Sequence, residues 1–135
     1  SPFLTMTRLL ETGLPKADAT IVDMHSDTTS EHINMGWYLD GKVSAVLGTH
    51  THVATADERV LPEGTGYITD VGMVGLRDSS LGVDRHQALQ RFLEGGKAPF
   101  EISDAGIVEF CAVLIDITEG KASSIQRVAR IIEVS

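Results

Sequence analysis

The sequence predicts an α/β fold with a mixed sheet, because short apolar runs alternate with segments of helical periodicity. The runs at 20–25, 42–48 and 66–75 have the length and β-branched content of buried strands. Two further apolar runs near the end of the chain flank a short polar turn, which predicts a hairpin over 107–134. We expect the strands of this hairpin to add antiparallel to the sheet.

Three helices are predicted around these strands. The first covers 2–12, the second begins among the capping residues of 26–29 and ends at Gly41, and the third covers 84–96. Apolar residues at helical spacing define the face that each helix should bury. These residues are Phe3, Leu4, Leu9, Leu10, Ile33, Trp37, Tyr38, Ala88, Leu89, Phe92 and Leu93.

The first three strands end in polar or glycine-rich sequence. TIVDMH ends at His25, KVSAVLG ends at Gly48, and GYITDVGMVG runs into a glycine-rich turn. The polar segment between the second and third runs predicts an irregular loop. The predicted core strand residues are Val22, Val43, Ala45, Val46, Ile68, Val113 and Ile115.

Composition narrows the class of protein. The chain has 135 residues, of which 42% are hydrophobic and 22% charged, as in a soluble globular domain. A formal charge of −8 without a Lys/Arg cluster argues against DNA as a partner. No apolar run approaches the roughly 20 residues of a membrane span. The single cysteine, Cys111, is interpreted as a buried apolar side chain, and a chain without an internal disulfide fits the cytoplasm.

Three histidines fall where an α/β sheet places its sites. His25 ends the first strand, and His50 and His52 follow the second strand in the sequence GTHTH. Ligands gather at the carboxyl ends of strands, and imidazoles two residues apart in an extended segment point to the same side. Neutral imidazole is a common metal ligand. Histidines on a surface loop are the alternative, but the shared placement of all three favours a metal site.

Neighbouring polar residues are candidates for supporting this site. Asp23 and Asp27 flank His25 and are placed to orient it, although Asp27 suits equally well the acidic first turn of a helix. Thr49 and Thr51 are small enough to leave room for ions beside the two loop histidines. The other two histidines, His32 and His86, fall within helices and are interpreted as ordinary surface residues.

The long stretch HSDTTSEHINMGWYLDGKVSAVLGTHTHVATADERVLPEGTGYITDVGMVG resembles the C-terminal half of YmdB-type metallophosphoesterases, which belong to the calcineurin-like superfamily. The resemblance implies that 1–135 forms one partial domain, the C-terminal half of a four-layer αββα sandwich. It also implies two metal ions, iron or manganese with zinc as an alternative. By the superfamily pattern, His25 and His50 bind one ion and His52 binds the other.

The resemblance further implies a phosphodiesterase that hydrolyses 2′,3′-cyclic nucleotides or related phosphodiesters by a metal-bound hydroxide. The sequence departs from the family pattern in two ways. It has no GD motif followed by an Asn-His pair, since its only asparagine is Asn34, and Asp27 stands where the family usually has glutamate. The remaining metal ligands and the proton donor to the leaving group are therefore expected in an absent N-terminal half.

Two other readings remain open. One is a non-catalytic metal-binding or interaction domain, folded alone or paired with a second copy of itself. The other is a mononuclear zinc hydrolase with three histidines at H-x24-H-x-H spacing.

The phosphodiesterase interpretation makes a small phosphodiester or cyclic nucleotide the expected ligand. It expects neither DNA nor a membrane as a partner. A separate chain that carries the N-terminal half is a further expected partner.

Overall fold

Three helices and seven strands occupy the parts of the chain that the computed structural model describes, residues 1–13, 15, 17–95, 101–102 and 106–134. The helices are α1 (Pro2–Thr12), α2 (Thr29–Leu39) and α3 (Arg85–Glu94). The strands are β1 (Ile21–His25), β2 (Ala45–Thr49), β3 (Arg59–Val60), β4 (Gly66–Ile68), β5 (Val74–Leu76), β6 (Gly106–Thr118) and β7 (Lys121–Val134). Residue 96, the predicted last residue of α3, lies outside the described residues.

The first sheet brings two histidine-bearing strand ends together. Its order is β1-β2-β4-β3, in which β1, β2 and β4 run parallel and the two-residue β3 pairs antiparallel with β4. In the register of β1 and β2, Ile21 lies opposite Ala45 and His25 lies opposite Thr49. The loop that follows Thr49 therefore starts beside His25, as the predicted placement at the carboxyl ends of the strands requires.

The hairpin lies in a second sheet of order β5-β6-β7, where all pairings are antiparallel. The α/β class with a mixed sheet and an antiparallel hairpin is confirmed, although the hairpin pairs with β5 instead of extending the first sheet. The segment 66–75 explains this difference, because it divides into β4 in one sheet and β5 in the other. Gly72, between them, has a φ of 83°, which glycine adopts without the usual steric penalty.

The core lies between α2 and the first sheet. Of the predicted core strand residues, Val43, Ala45, Val46 and Ile68 are at most 5% exposed. The other three, Val22, Val113 and Ile115, are only partly buried. The hydrophobic cluster consists of Met24, Met35, Leu39, Val43, Val46, Leu61 and Tyr67, and it is extended by partly buried residues of α1 and α2.

The buried face of α2 differs from the predicted one. It consists of His32, Met35, Gly36 and Leu39. These residues follow the i, i+3, i+4, i+7 pattern, whereas Trp37 is 50% exposed. A Cβ atom on Gly36 would lie 2.6 Å from the ring of Tyr67, so the helix presents its smallest residue where it approaches the sheet most closely. Of the predicted face, Ile33 and Tyr38 are partly buried and pack against the core, so the prediction was wrong for Trp37 and missed the fully buried residues beside them.

The outer helices bury less than their periodicity predicts. In α1, Phe3 and Leu10 pack against the core, but Leu4 and Leu9 are exposed. In α3, only Ala88 of the predicted apolar face is buried, and the Asp84 side chain caps the helix by accepting the Gln87 amide. None of the helices in the described part of the chain is long and apolar enough to cross a membrane.

Candidate metal centre

His25 and His50 face each other at the carboxyl end of the first sheet. The Nδ1 atom of His50 lies 3.4 Å from the Nε2 atom of His25, and the two rings meet edge to face with centroids 5.1 Å apart. Two nitrogen ligands of one metal ion are separated by roughly 3.0–3.4 Å, given metal–nitrogen distances of about 2.0–2.1 Å. The spacing of the two imidazoles therefore fits one shared ion.

Two polar residues that the sequence predicts near the site, Thr49 and Asp23, orient the His25 ring. The Thr49 hydroxyl donates to the Asp23 carboxylate over 2.8 Å, and its oxygen lies 3.0 Å from Nδ1 of His25. Because the hydroxyl proton is used on Asp23, the oxygen is free to accept the Nδ1 proton of His25. In the tautomer that donates from Nδ1 to Thr49, Nε2 carries no proton and is available as a metal ligand on the side of His50.

Asp27 supports His50 in the same way. Its carboxylate lies 3.4 Å from Nε2 of His50, so that a proton on Nε2 leaves the Nδ1 lone pair directed at His25. The contact is solvent-exposed, with 87% of the Asp27 side chain accessible, and contributes little to folding stability. Asp27 is not the cap of α2, because Thr28 occupies that position. The structure thus favours an orienting role over the helix-terminal role, but the residue that Asp27 contacts is His50 and not the predicted His25.

His52 takes a separate direction. Its Nδ1 atom lies 3.3 Å from the Leu81 carbonyl oxygen, and its ring lines a cavity of about 290 Å³ together with Met73, Arg77 and Glu109. Across the described residues, no three His, Cys, Asp or Glu side chains are grouped closely enough to hold a metal ion. The structure therefore brings His25 and His50 together and leaves His52 apart, which offers no support for a mononuclear site of three histidines.

The loop that carries the histidines has an unusual backbone. His50 has a φ of 148° and His52 a φ of 64°, on either side of Thr51. Positive φ values cost L-residues on the order of 1–3 kcal/mol each and persist where the surroundings hold them in place. The Thr51 hydroxyl donates to the Val53 carbonyl over 3.0 Å, so Thr51 supports the fold of the loop.

The sequence did not predict a role for Asp70, which binds the backbone of this loop. Asp70 is fully buried, and its carboxylate accepts the backbone N–H groups of Thr51 at 2.7 Å and Gly72 at 2.8 Å. A signal was present in the sequence ITDVG, since Asp70 follows a strand of the same sheet just as His25 and His50 do. The strand pattern of 66–75 predicts only a strand that runs into a turn and gives Asp70 no role.

The interpretation of His32 as a surface residue is wrong. The side chain is 2% exposed, and neither ring nitrogen has a hydrogen-bond partner among the described residues. It lies behind the histidine loop, where its Nδ1 atom would be 3.2 Å from a Cβ placed on Gly48. Its burial follows from the phase of α2, which turns His32 towards the sheet together with Met35 and Leu39. His86 is exposed on α3, as predicted.

Two further groups near the site have perturbed acidities. Burial raises the pKa of Asp57, but hydrogen bonds from the Thr55 and Thr69 hydroxyls and the Thr69 amide outweigh it, and the pKa lies below the usual value. Burial, together with the charge of Glu109, raises the pKa of the Cys111 thiol. Cys111 is partly buried beside the cavity next to His52, so it stays a protonated, mainly apolar side chain.

Comparison with known proteins places this chain in a family. The profile of the family described as YmdB-like protein matches residues 1–128. The chain is 43% identical over 129 residues to the 2′,3′-cyclic-nucleotide 2′-phosphodiesterase of Bacillus subtilis (strain 168), and the match covers 94% of this chain and 48% of that protein. The chain thus spans about half the length of the curated relatives it matches.

Two solved structures are similar in fold. One is a hypothetical protein from Thermus thermophilus, with a TM-score of 0.89 and 42% identity over 97% of this chain and 51% of that one. The other is described as a novel phosphatase from Mycoplasma pneumoniae, with a TM-score of 0.86 and 32% identity over 98% of this chain and 47% of that one. Both similarities extend over nearly all of the present chain.

Proposed function

The chain belongs to the family of YmdB-like proteins, and from this membership we propose that it is the C-terminal half of a metal-dependent phosphodiesterase. The proposed substrates are 2′,3′-cyclic nucleotides or related small phosphodiesters. The Bacillus subtilis relative is named for such an activity, and the structurally similar Mycoplasma protein is described as a phosphatase. The formal charge of −8 argues against a DNA substrate.

The observation that carries the proposal is the approach of His25 Nε2 to His50 Nδ1. When neither nitrogen carries a proton, their separation of 3.4 Å matches that of two nitrogen ligands on one ion. We assign both to one ion, and His52 to a second ion. Because Nδ1 of His52 lies against the Leu81 carbonyl, a proton on Nδ1 leaves Nε2 free as a ligand. Iron or manganese are the proposed metals, with zinc as the alternative.

When bound, a pair of metal ions supplies a nucleophile at neutral pH and neutralises charge on the phosphoryl oxygens. The residues of this chain do the positioning. Asp23 and Thr49 fix the His25 ring, and Asp27 fixes His50. Three neutral histidines add no negative charge, so carboxylates from elsewhere must balance the ions.

We place the missing carboxylate and asparagine ligands, and the proton donor to the leaving group, in an N-terminal half that completes the domain. This proposal agrees with relatives about twice as long as the chain and with the two-histidine cluster. For the chain on its own, that cluster favours metal binding without catalysis. The cytoplasmic location and pairing with a second copy stay predictions.

The test compares the full-length protein with the 135-residue chain. Hydrolysis of a bis-aryl phosphodiester and of a 2′,3′-cyclic nucleotide is measured with added manganese. We expect turnover by the full-length protein, loss of turnover in His50→Ala and His52→Ala, and retention in His86→Ala, whose side chain is exposed on α3. Turnover by the 135-residue chain that survives repurification and is lost in His50→Ala would show that the site needs no further ligands.

A further inference from the structure

Asp70 joins the end of β4 to the histidine loop. It lies two residues beyond β4 and is fully buried. One carboxylate oxygen accepts the Thr51 N–H at 2.7 Å, and the other accepts the Gly72 N–H at 2.8 Å. Its backbone also binds the far end of the loop, since its N–H donates to the Thr55 hydroxyl and its carbonyl accepts the Thr55 N–H.

The backbone of Thr51 links the two loop histidines, so its position sets how their side chains are oriented relative to each other. It lies between His50 and His52, both of which have positive φ. Positive φ is unfavourable for residues other than glycine, so contacts with neighbouring residues must stabilise this backbone conformation. The Asp70 carboxylate binds the Thr51 amide directly, and the Val71 N–H donates to the Gly48 carbonyl at the other side of the loop.

We propose that Asp70 is a positioning residue that sets the orientation of His50 and His52 for metal binding without contacting the metal itself. Each of its two carboxylate oxygens is engaged by a backbone amide, which distinguishes it from a ligand. The inference rests on the proposed function, because it assumes that both histidines bind metal. Asp70 would act on the two histidines through the backbone of the loop that carries them.

Replacement by asparagine isolates this role. Asparagine has nearly the same volume, but one oxygen becomes an NH2 group that cannot accept a hydrogen bond. In Asp70→Asn, either the Thr51 amide or the Gly72 amide faces a donor instead of an acceptor. The loop must shift to relieve this contact, and the two histidines shift with it.

Asp57→Asn is the matched control. Asp57 also accepts a backbone amide and two hydroxyls near the end of β4, from Thr69 and Thr55. None of these bonds reaches residues 50–52, although the Thr55 hydroxyl that donates to Asp57 also accepts the Asp70 N–H at the far end of the loop. Asp57→Asn should therefore lower stability through similar chemistry while leaving the histidine loop in place.

The experiment uses metal-free full-length protein and manganese as the probe. Manganese affinity is measured by equilibrium dialysis, the coordination of the bound ion by electron paramagnetic resonance, and stability by denaturation without metal. We expect Asp70→Asn to weaken manganese binding by about 10- to 100-fold, the usual effect of losing a group that orients a ligand. Its resonance spectrum should change, whereas Asp57→Asn should keep the wild-type affinity and spectrum.

The outcomes separate this inference from the proposed function. Wild-type affinity and spectrum in Asp70→Asn, or equal losses in both asparagine variants, would overturn the role of Asp70 alone. Absence of manganese binding in the wild type, or unchanged binding in His50→Ala, would overturn the metal site itself and with it the inference. If Asp70→Asn does not fold, hydrogen exchange of wild-type protein decides. Slow exchange of the Thr51 amide supports the proposal, and exchange as fast as in an unprotected loop contradicts it.

Discussion

The Nδ1 atom of His50 lies 3.4 Å from the Nε2 atom of His25, although 25 positions separate the two residues in sequence. Their approach follows from the parallel register of β1 and β2, which sets His25 opposite Thr49. On the outer side of each ring, Thr49 and Asp27 are placed to take the remaining protons. With the outer nitrogens protonated, each ring keeps one lone pair on its inner nitrogen, where a shared metal ion would bind.

Thr49→Val should weaken metal binding without unfolding the protein. The hydroxyl links His25 to Asp23, and valine retains the shape of threonine but cannot accept the Nδ1 proton. We expect manganese affinity of the full-length protein to fall by about 10- to 100-fold. The control is Thr12→Val, since the bonds of the Thr12 hydroxyl within the described residues go to carbonyls of its own helix. Equal affinities in calorimetric titrations of both variants would show that Thr49 does not orient His25.

His32→Ala should destabilise the protein, contrary to what a surface position would imply. The imidazole is 2% exposed, and its removal leaves a cavity between α2 and the first sheet. We expect a loss on the order of 2–4 kcal/mol in the free energy of unfolding, measured by urea denaturation. His86→Ala should change this free energy by less than about 0.5 kcal/mol, because His86 is exposed. A loss as small for His32→Ala would contradict the buried placement.

His32→Met provides a second measure of the same environment. Neither ring nitrogen has a partner in the described part of the chain, so an apolar side chain of similar size forfeits no protein hydrogen bond. Such a replacement is expected to be nearly neutral or stabilising in the same denaturation series. A cost comparable to that of His32→Ala would show instead that the imidazole is hydrogen-bonded in the complete protein.

The sequence predicted the strand ends better than the helix faces, for a physical reason. His25 and the GTHTH loop were located correctly because parallel strands place their carboxyl ends at one edge, whatever packs above them. The inner face of α2 depends instead on how closely the helix approaches Tyr67, which local hydrophobicity does not encode. The separation of 66–75 into two sheets likewise depends on contacts between segments distant in sequence.

Asp70 and His52 mark the limit of the prediction at the site itself. The hydrogen bond from Thr51 to Asp70 connects residues 19 positions apart, and no local pattern reveals it. The direction of His52 is set by its positive φ and by the Leu81 carbonyl, whereas the alternation rule assumes an extended backbone. Residue identities alone therefore located the candidate ligands along the chain but did not give the orientation of their rings.

Gly48→Ala should be among the most destabilising single changes in the chain. A Cβ atom at this position would lie 1.7 Å from the Thr69 carbonyl oxygen, a backbone atom that cannot rotate away. We expect a loss on the order of 4 kcal/mol or more in unfolding free energy, and weaker manganese binding because the histidine loop starts here. Gly13→Ala is the control, since it has φ 87° but no atom within 4 Å. Its cost should stay near 1–2 kcal/mol, and equal losses in both variants would contradict the close approach.

Asp57 should make stability depend on pH in the acidic range. Its pKa is lowered in the folded protein, where burial is outweighed by hydrogen bonds from the Thr55 and Thr69 hydroxyls and the Thr69 amide. The folded state therefore binds the proton less readily than the unfolded state, and the carboxylate stabilises folding at neutral pH. This contribution declines as the pH falls below the usual aspartate range of about 4 and is lost once the pH passes below the lowered pKa.

We expect Asp57→Asn to lower the free energy of unfolding at pH 7 and to reduce the dependence of this free energy on acid pH. Parallel pH profiles for the wild type and Asp57→Asn, measured by urea denaturation, would show that the hydrogen bonds do not favour the charged form.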